Sequence, residues 1–178
     1  MRFNIGYYSL LCSRRYSTQR ILQTIRKTFT DENKTREFGS KIAELCYKGD
    51  VISLVGEMGS GKTVFCQGFI RKICSDRLLQ VTSPTYLLDN LYESNGVNVH
   101  HIDLYRLSGG QHDIARLGLF DPNDIYVIEW GDKLEHNIPP KQFLKITFEY
   151  SFESDEPTQS VRNVTLETSD EEWIKRLK

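Results

Sequence analysis

The run Gly56-Glu57-Met58-Gly59-Ser60-Gly61-Lys62-Thr63 constrains this chain more than any other stretch. It matches G-x-x-x-x-G-K-[ST] and lies between the apolar run Val51–Val55 and a helical pattern from Thr63 to Cys74. That strand–loop–helix setting gives the pattern its physical meaning. Glycines let a backbone close around an anion at φ values that a Cβ resists. The loop N–H groups and the positive end of the next helix then face the phosphates of a nucleotide. The spacing predicts a nucleoside triphosphate held by Glu57, Met58, Gly59, Ser60, Gly61, Lys62 and Thr63. Lys62 reaches the β- and γ-phosphates, and the Thr63 hydroxyl joins a Mg2+ shell.

A chain of 178 residues is long enough for one domain with a sizeable core. Its 39% hydrophobic and 26% charged residues are ordinary for a globular protein. No apolar run approaches the length that crosses a bilayer, so no transmembrane helix is expected. The cysteines Cys12, Cys46, Cys66 and Cys74 lack CxxC spacing and read as reduced, buried or neutral thiols rather than metal ligands.

The first thirty residues are different in kind. They carry Arg2, Arg14, Arg15, Arg20, Arg26 and Lys27 and no acid before Asp31. An arginine-rich, acid-free profile is that of an organellar transit peptide, here assigned to residues 1–28 and to the mitochondrion, with a plastid or a plain basic extension as alternatives. Arg14-Arg15-Tyr16-Ser17 resembles a processing site, with cleavage after Tyr16. Losing residues 1–16 removes three of the 23 basic residues and none of the 24 acids, for a net charge near −4. The mature domain thus has no bulk electrostatic signature for nucleic acid, and any link to RNA is expected to be indirect.

Further along, Thr30 to Asn33 offer caps for a helix through Phe38, Ile42, Ala43 and Leu45. Short strands are expected over 78–82, 85–92, 97–105 and 125–130, with a turn at Ser94-Asn95-Gly96 and a short helix around 113–117. Residues 144–150 and 161–167 read as antiparallel strands, and 170–178 as a terminal helix. The expected fold is an α/β phosphate-loop domain over 29–150, completed by 151–178. Its helix-flanked central sheet is mixed: parallel near the loop and antiparallel toward the C-terminus.

Two apolar strands end in acids, Val99-His100-His101-Ile102-Asp103 and Tyr126-Val127-Ile128-Glu129. Carboxylates at the carboxyl ends of strands beside a phosphate loop hold magnesium or orient water. Asp103 fits the Walker B pattern better; Glu129 fits either role, and the residues alone leave that division open. Thr82-Ser83-Pro84-Thr85 is a hydroxyl-rich loop stiffened by proline, suited to sensing a γ-phosphate through Thr85. His100 and His101 read as packing or surface residues, since magnesium disfavours imidazole. Trp130, directly after Glu129, is the aromatic best placed to edge the site.

In order, these strings resemble the TsaE family, the ATPase of bacterial tRNA threonylcarbamoyladenosine biosynthesis. The resemblance rests on the phosphate loop, Thr82-Ser-Pro-Thr-Tyr86, His101-Ile-Asp-Leu-Tyr-Arg-Leu107 and Ile128-Glu-Trp130. Thr35 with Phe38-Gly39 and Ala43 resembles the family's first helix, which implies that Thr35 lies beside the nucleotide. It further implies ATP and Mg2+ as cofactors, Lys62, Asp103 and Glu129 as catalytic residues, Thr63, Asp103 and Glu129 around the metal, and TsaB-like and TsaD-like partners. Val64 and Gly131 depart from the family pattern, as does the weakly acidic Gln111-His112-Asp113. Without the resemblance, a small nucleotide or metabolite kinase and a non-catalytic nucleotide switch remain as alternatives. Against a kinase, Arg106 and Arg116 are the only arginines in the middle of the domain, too few for a phosphate-transferring lid.

Overall fold

The computed structural model describes residues 23–107, 120–134, 143–151 and 161–178. Seven strands form one sheet: β1 (Gln23–Phe29), β2 (Val51–Val55), β3 (Asp89–Ser94), β4 (Val97–Asp103), β5 (Ile125–Glu129), β6 (Phe143–Ser151) and β7 (Val161–Thr168). Their spatial order is β1-β7-β6-β2-β5-β4-β3. The central strand β2 runs parallel to both β5 and β6, and β4 runs parallel to β5. The remaining pairs, β3–β4, β6–β7 and β1–β7, are antiparallel. The mixed sheet is as expected, with its parallel part centred on the strand that feeds the phosphate loop.

Helices α1 (Glu32–Glu44) and α2 (Lys62–Ile73) pack on one face, over a core of Ile52, Leu54, Phe65, Phe69 and Phe148. Asp31 caps α1 by accepting from the Lys34 backbone N–H at 2.9 Å, and the periodic set Thr35, Phe38, Gly39, Ile42 and Ala43 turns inward. The two helices cross at glycines. A Cβ on Gly68 would stand 1.9 Å from the Arg36 carbonyl oxygen, and one on Gly39 would stand 2.3 Å from that of Phe65. This close crossing brings the N-terminal end of α1 beside the phosphate loop. The opposite face of the sheet buries Val51, Ile102, Leu104, Tyr126, Ile128 and Leu134. A third helix, α3 (Glu171–Arg176), buries Trp173, and Arg176 pairs with the fully buried Asp50 at 2.5 and 3.0 Å.

Several sequence expectations change here. The leader boundary at residue 28 falls inside β1, so residues 23–28 belong to the sheet. This strand carries only Ile25 and Phe29 against the core, and Arg26 and Lys27 are exposed on the sheet edge. Charge on an edge strand deters unwanted pairing, and it also hides the strand's alternation. Residues 78–82 form no strand. The strand expected from Thr85 begins at Asp89, because Leu87 and Leu88 turn back to the Pro84 carbonyl at 2.9 and 2.7 Å. The short helix expected at 113–117 lies outside the described residues.

Candidate functional site

The loop between β2 and α2 leaves the carboxyl end of the central strand, where ligands of open α/β sheets sit. Gly61, the cap residue of α2, has φ +108°, a conformation L side chains rarely adopt. The Lys62 ammonium is folded back to donate to the Gly56 and Glu57 carbonyls at 2.6 and 2.9 Å, and lies 4.2 Å from the Trp130 ring centre. Burial holds this lysine below its ordinary range, while Glu129 and then Asp103 pull it back up.

Both strand-end acids are buried beside the loop, and register places Asp103 opposite Glu129 on adjacent parallel strands. Their partners separate them. Thr63 donates its hydroxyl to the Glu129 carboxylate at 2.9 and 3.0 Å. His101 places Nε2 2.9 Å from the same carboxylate. Asp103 instead receives the Ser83 hydroxyl, the Thr85 hydroxyl at 2.6 Å and the Tyr105 backbone N–H at 2.8 Å. Glu129 is therefore coupled to the phosphate loop, and Asp103 to the hydroxyl-rich loop.

Lys62, Thr63, Ser83, Thr85, Asp103, Tyr105 and Glu129 line one cavity of about 490 Å³, together with Met58, Gly59, Gly61, Val64, Tyr86, Arg106 and Trp130; His101 lies behind it, fully buried. Of the residues expected to hold a nucleotide, Gly59, Gly61, Lys62, Thr63, Thr85, Met58 and Trp130 meet there. Glu57 contributes its carbonyl to Lys62, and Ser60 is buried within the loop. Thr35 is fully buried, with its methyl packed toward Gly61. Trp130 adopts φ +59°, and Gly131 follows it against Ser53, where a Cβ would stand 2.1 Å from the hydroxyl oxygen. The turn that aims Trp130 at the loop therefore needs glycine at 131 in this chain.

Two residues escaped the sequence reading. His101, expected to be packing, shares a strand face with Asp103 two residues on, and that period was the signal available. Its 2.9 Å contact restrains the orientation of the Glu129 carboxylate. Arg162 on β7 lies against the open face of Gly61, within 3.3 Å of where a Cβ would stand. It is 8% exposed, and its Nε has no hydrogen-bond partner among the described residues. Nothing in sequence spacing links it to a loop so far upstream. Tyr150 on neighbouring β6 donates its hydroxyl to the Gly59 carbonyl.

The donor set suits a hard cation: a threonine hydroxyl and buried carboxylates, all oxygen, at the mouth of an anion-binding loop. Residues 29–160 match the family model described as threonylcarbamoyl adenosine biosynthesis protein TsaE. The chain belongs to the TsaE family. It is 34% identical to the TsaE protein of Streptomyces coelicolor over 143 residues, covering 78% of this chain and 93% of that protein. It is 30% identical to the TsaE protein of Rickettsia typhi over 115 residues, covering 64% and 78%. The crystal structure of Bacillus subtilis YdiB shares the fold, with a TM-score of 0.64 at 20% identity over 87% of this chain and 92% of that one. The phosphate-loop fold and the TsaE resemblance read from the motifs thus both hold.

Proposed function

We propose that this TsaE-family chain is a Mg2+-dependent ATPase of tRNA threonylcarbamoyladenosine biosynthesis. The observation that carries the reading is the Thr63–Glu129 contact beside Lys62, since a phosphate-loop hydroxyl joined to a strand-end carboxylate is a ready magnesium shell. Thr63 and Glu129 would hold the ion, which when bound neutralises charge on the β- and γ-phosphates. Lys62, whose ammonium already lies over the Trp130 ring at the cavity, would exchange its two carbonyl partners for phosphate oxygens. The loop N–H groups orient the phosphates along the axis of α2. Asp103 holds the Ser83 and Thr85 hydroxyls in the cavity, where that loop would order an attacking water. His101 keeps Glu129 from rotating away from Thr63.

TsaB-like and TsaD-like partners fit the same reading, with tRNA reached only through them. The cavity lining includes the strongly exposed apolar side chains Tyr86 and Met58, and exposed Leu87 follows Tyr86 in the chain, as on a surface covered by another protein. Among the described residues Arg106 is the one arginine lining the cavity, and its guanidinium stacks on Tyr86 at 4.2 Å. An isolated domain so supplied hydrolyses ATP slowly, and a partner that reorders Tyr86 frees Arg106 or adds a cation. The basic, acid-free N-terminal stretch supports action in the mitochondrion. The test is phosphate release from ATP, alone and with the partners. Free phosphate that depends on Mg2+, rises with partners and disappears in Lys62→Ala supports the proposal. A phosphorylated acceptor in place of free phosphate would overturn it in favour of a kinase.

A further inference from the structure

Cys66, His101 and Glu129 are all buried, and one ligand atom from each lies within 4.8 Å of the others. The helix explains the thiol: Cys66 follows Thr63 by three residues on α2, so both face the strand ends of β4 and β5. The Nδ1 atom of His101 is buried without a hydrogen-bond partner among the described residues, and neither tautomer satisfies both ring nitrogens. A thiolate, an imidazole and a carboxylate together form a donor set for zinc, and magnesium makes little use of it.

We propose that Cys66, His101 and Glu129 form an inhibitory site for a thiophilic divalent cation such as Zn2+, competing with magnesium–nucleotide for Glu129. This rests on the reading of Glu129 as a magnesium ligand. The ligand atoms, now within 4.8 Å of one another, must draw together around the ion. Tetrahedral zinc with N and O ligands at about 2.0–2.1 Å puts those atoms about 3.4 Å apart, and a sulfur at about 2.3 Å stands about 3.6 Å from the nitrogen. His101 Nε2 and Glu129 are 2.9 Å apart, so they part slightly while the thiol draws in. On coordination the Cys66 S–H proton leaves to solvent as the sulfur–metal bond forms. In the bound state the imidazole proton sits on Nδ1 and the Nε2 lone pair faces the metal, and no oxidant or reductant is involved. The ion enters from the nucleotide cavity, which Glu129 lines. Bound there, it pulls the carboxylate away from Thr63.

The test uses the metal alone on the full-length protein, with Co2+ as spectroscopic probe and Zn2+ as competitor. One equivalent of Co2+ should give a thiolate-to-metal charge-transfer band that Zn2+ bleaches and prior magnesium–ATP suppresses. Cys66→Ser should lose the band while retaining zinc-free phosphate release, which also reports that it folds. Low-micromolar Zn2+ should slow phosphate release at least about tenfold in the wild type and under twofold in Cys66→Ser. Absence of the band in the wild type, an equal band in Cys66→Ser, or equal zinc inhibition of both proteins would overturn the proposal. Failure of the ATPase reading looks different: the band persists while Mg2+-dependent phosphate release is absent.

Discussion

Replacing Glu129 by Gln removes one charge and almost no volume from a side chain that is 3% exposed. The amide oxygen can still accept from Thr63, which now donates at 2.9 and 3.0 Å, so the loop should keep its shape. What is lost is the carboxylate that would hold magnesium, together with its attraction for Lys62, whose charged form is already disfavoured by burial. A hydrogen bond to a charged group is worth about 1.5–3 kcal/mol. Removing one preorganised electrostatic contact at a transition state costs about 2.7–4 kcal/mol, or 10²–10³ in kcat. Ground-state nucleotide affinity rests mainly on loop N–H groups and Lys62, and should fall less than about tenfold. Phosphate release under single-turnover conditions, with nucleotide affinity measured by calorimetry, separates the two effects. Equal losses in rate and affinity, with an unchanged melting curve, would refute a transition-state role and leave Glu129 a binding residue.

Other outcomes follow from the same geometry. Arg162→Met keeps the packing against Gly61 and deletes a buried charge, so nucleotide affinity should drop about tenfold with kcat less affected; affinity equal to wild type would make Arg162 purely structural. Arg176→Ala strands the fully buried Asp50 and should cost about 3–5 kcal/mol in denaturant unfolding, a loss that Asp50→Asn in the same chain should partly restore. Burial pushes the fully buried Cys66 thiol well above its usual range, whereas Cys46 and Cys74 are only half-buried. Cys66 should therefore stay protonated and resist iodoacetamide at pH 8 until the protein unfolds, a difference that peptide mapping reads against the other two. A reporter carrying the N-terminal stretch should enter mitochondria and be trimmed near Tyr16, ahead of β1; a cytosolic reporter with an intact N-terminus would refute import.

The sequence by itself determined what depends on contiguous residues. The phosphate loop, its strand and helix, the acids closing two apolar strands and the family strings were all legible, because each is short and its chemistry demands particular residue types at fixed spacing. The α1 cap and amphipathic face were legible for the same reason. Only the tertiary structure decided how those pieces share their partners. Parallel pairing of β4 with β5 sets Asp103 and Glu129 side by side, but the α2 helix gives Glu129 to Thr63, while the turn at Pro84 gives Asp103 to Ser83 and Thr85. The edge strand β1 stayed hidden because an edge needs only one apolar face and tolerates charge, so its alternation is diluted. Arg162 reaches Gly61, and Cys66 meets His101, through pairings between distant segments of chain. Side-chain period carries information along one element only, and such meetings are fixed by how the sheet orders its strands.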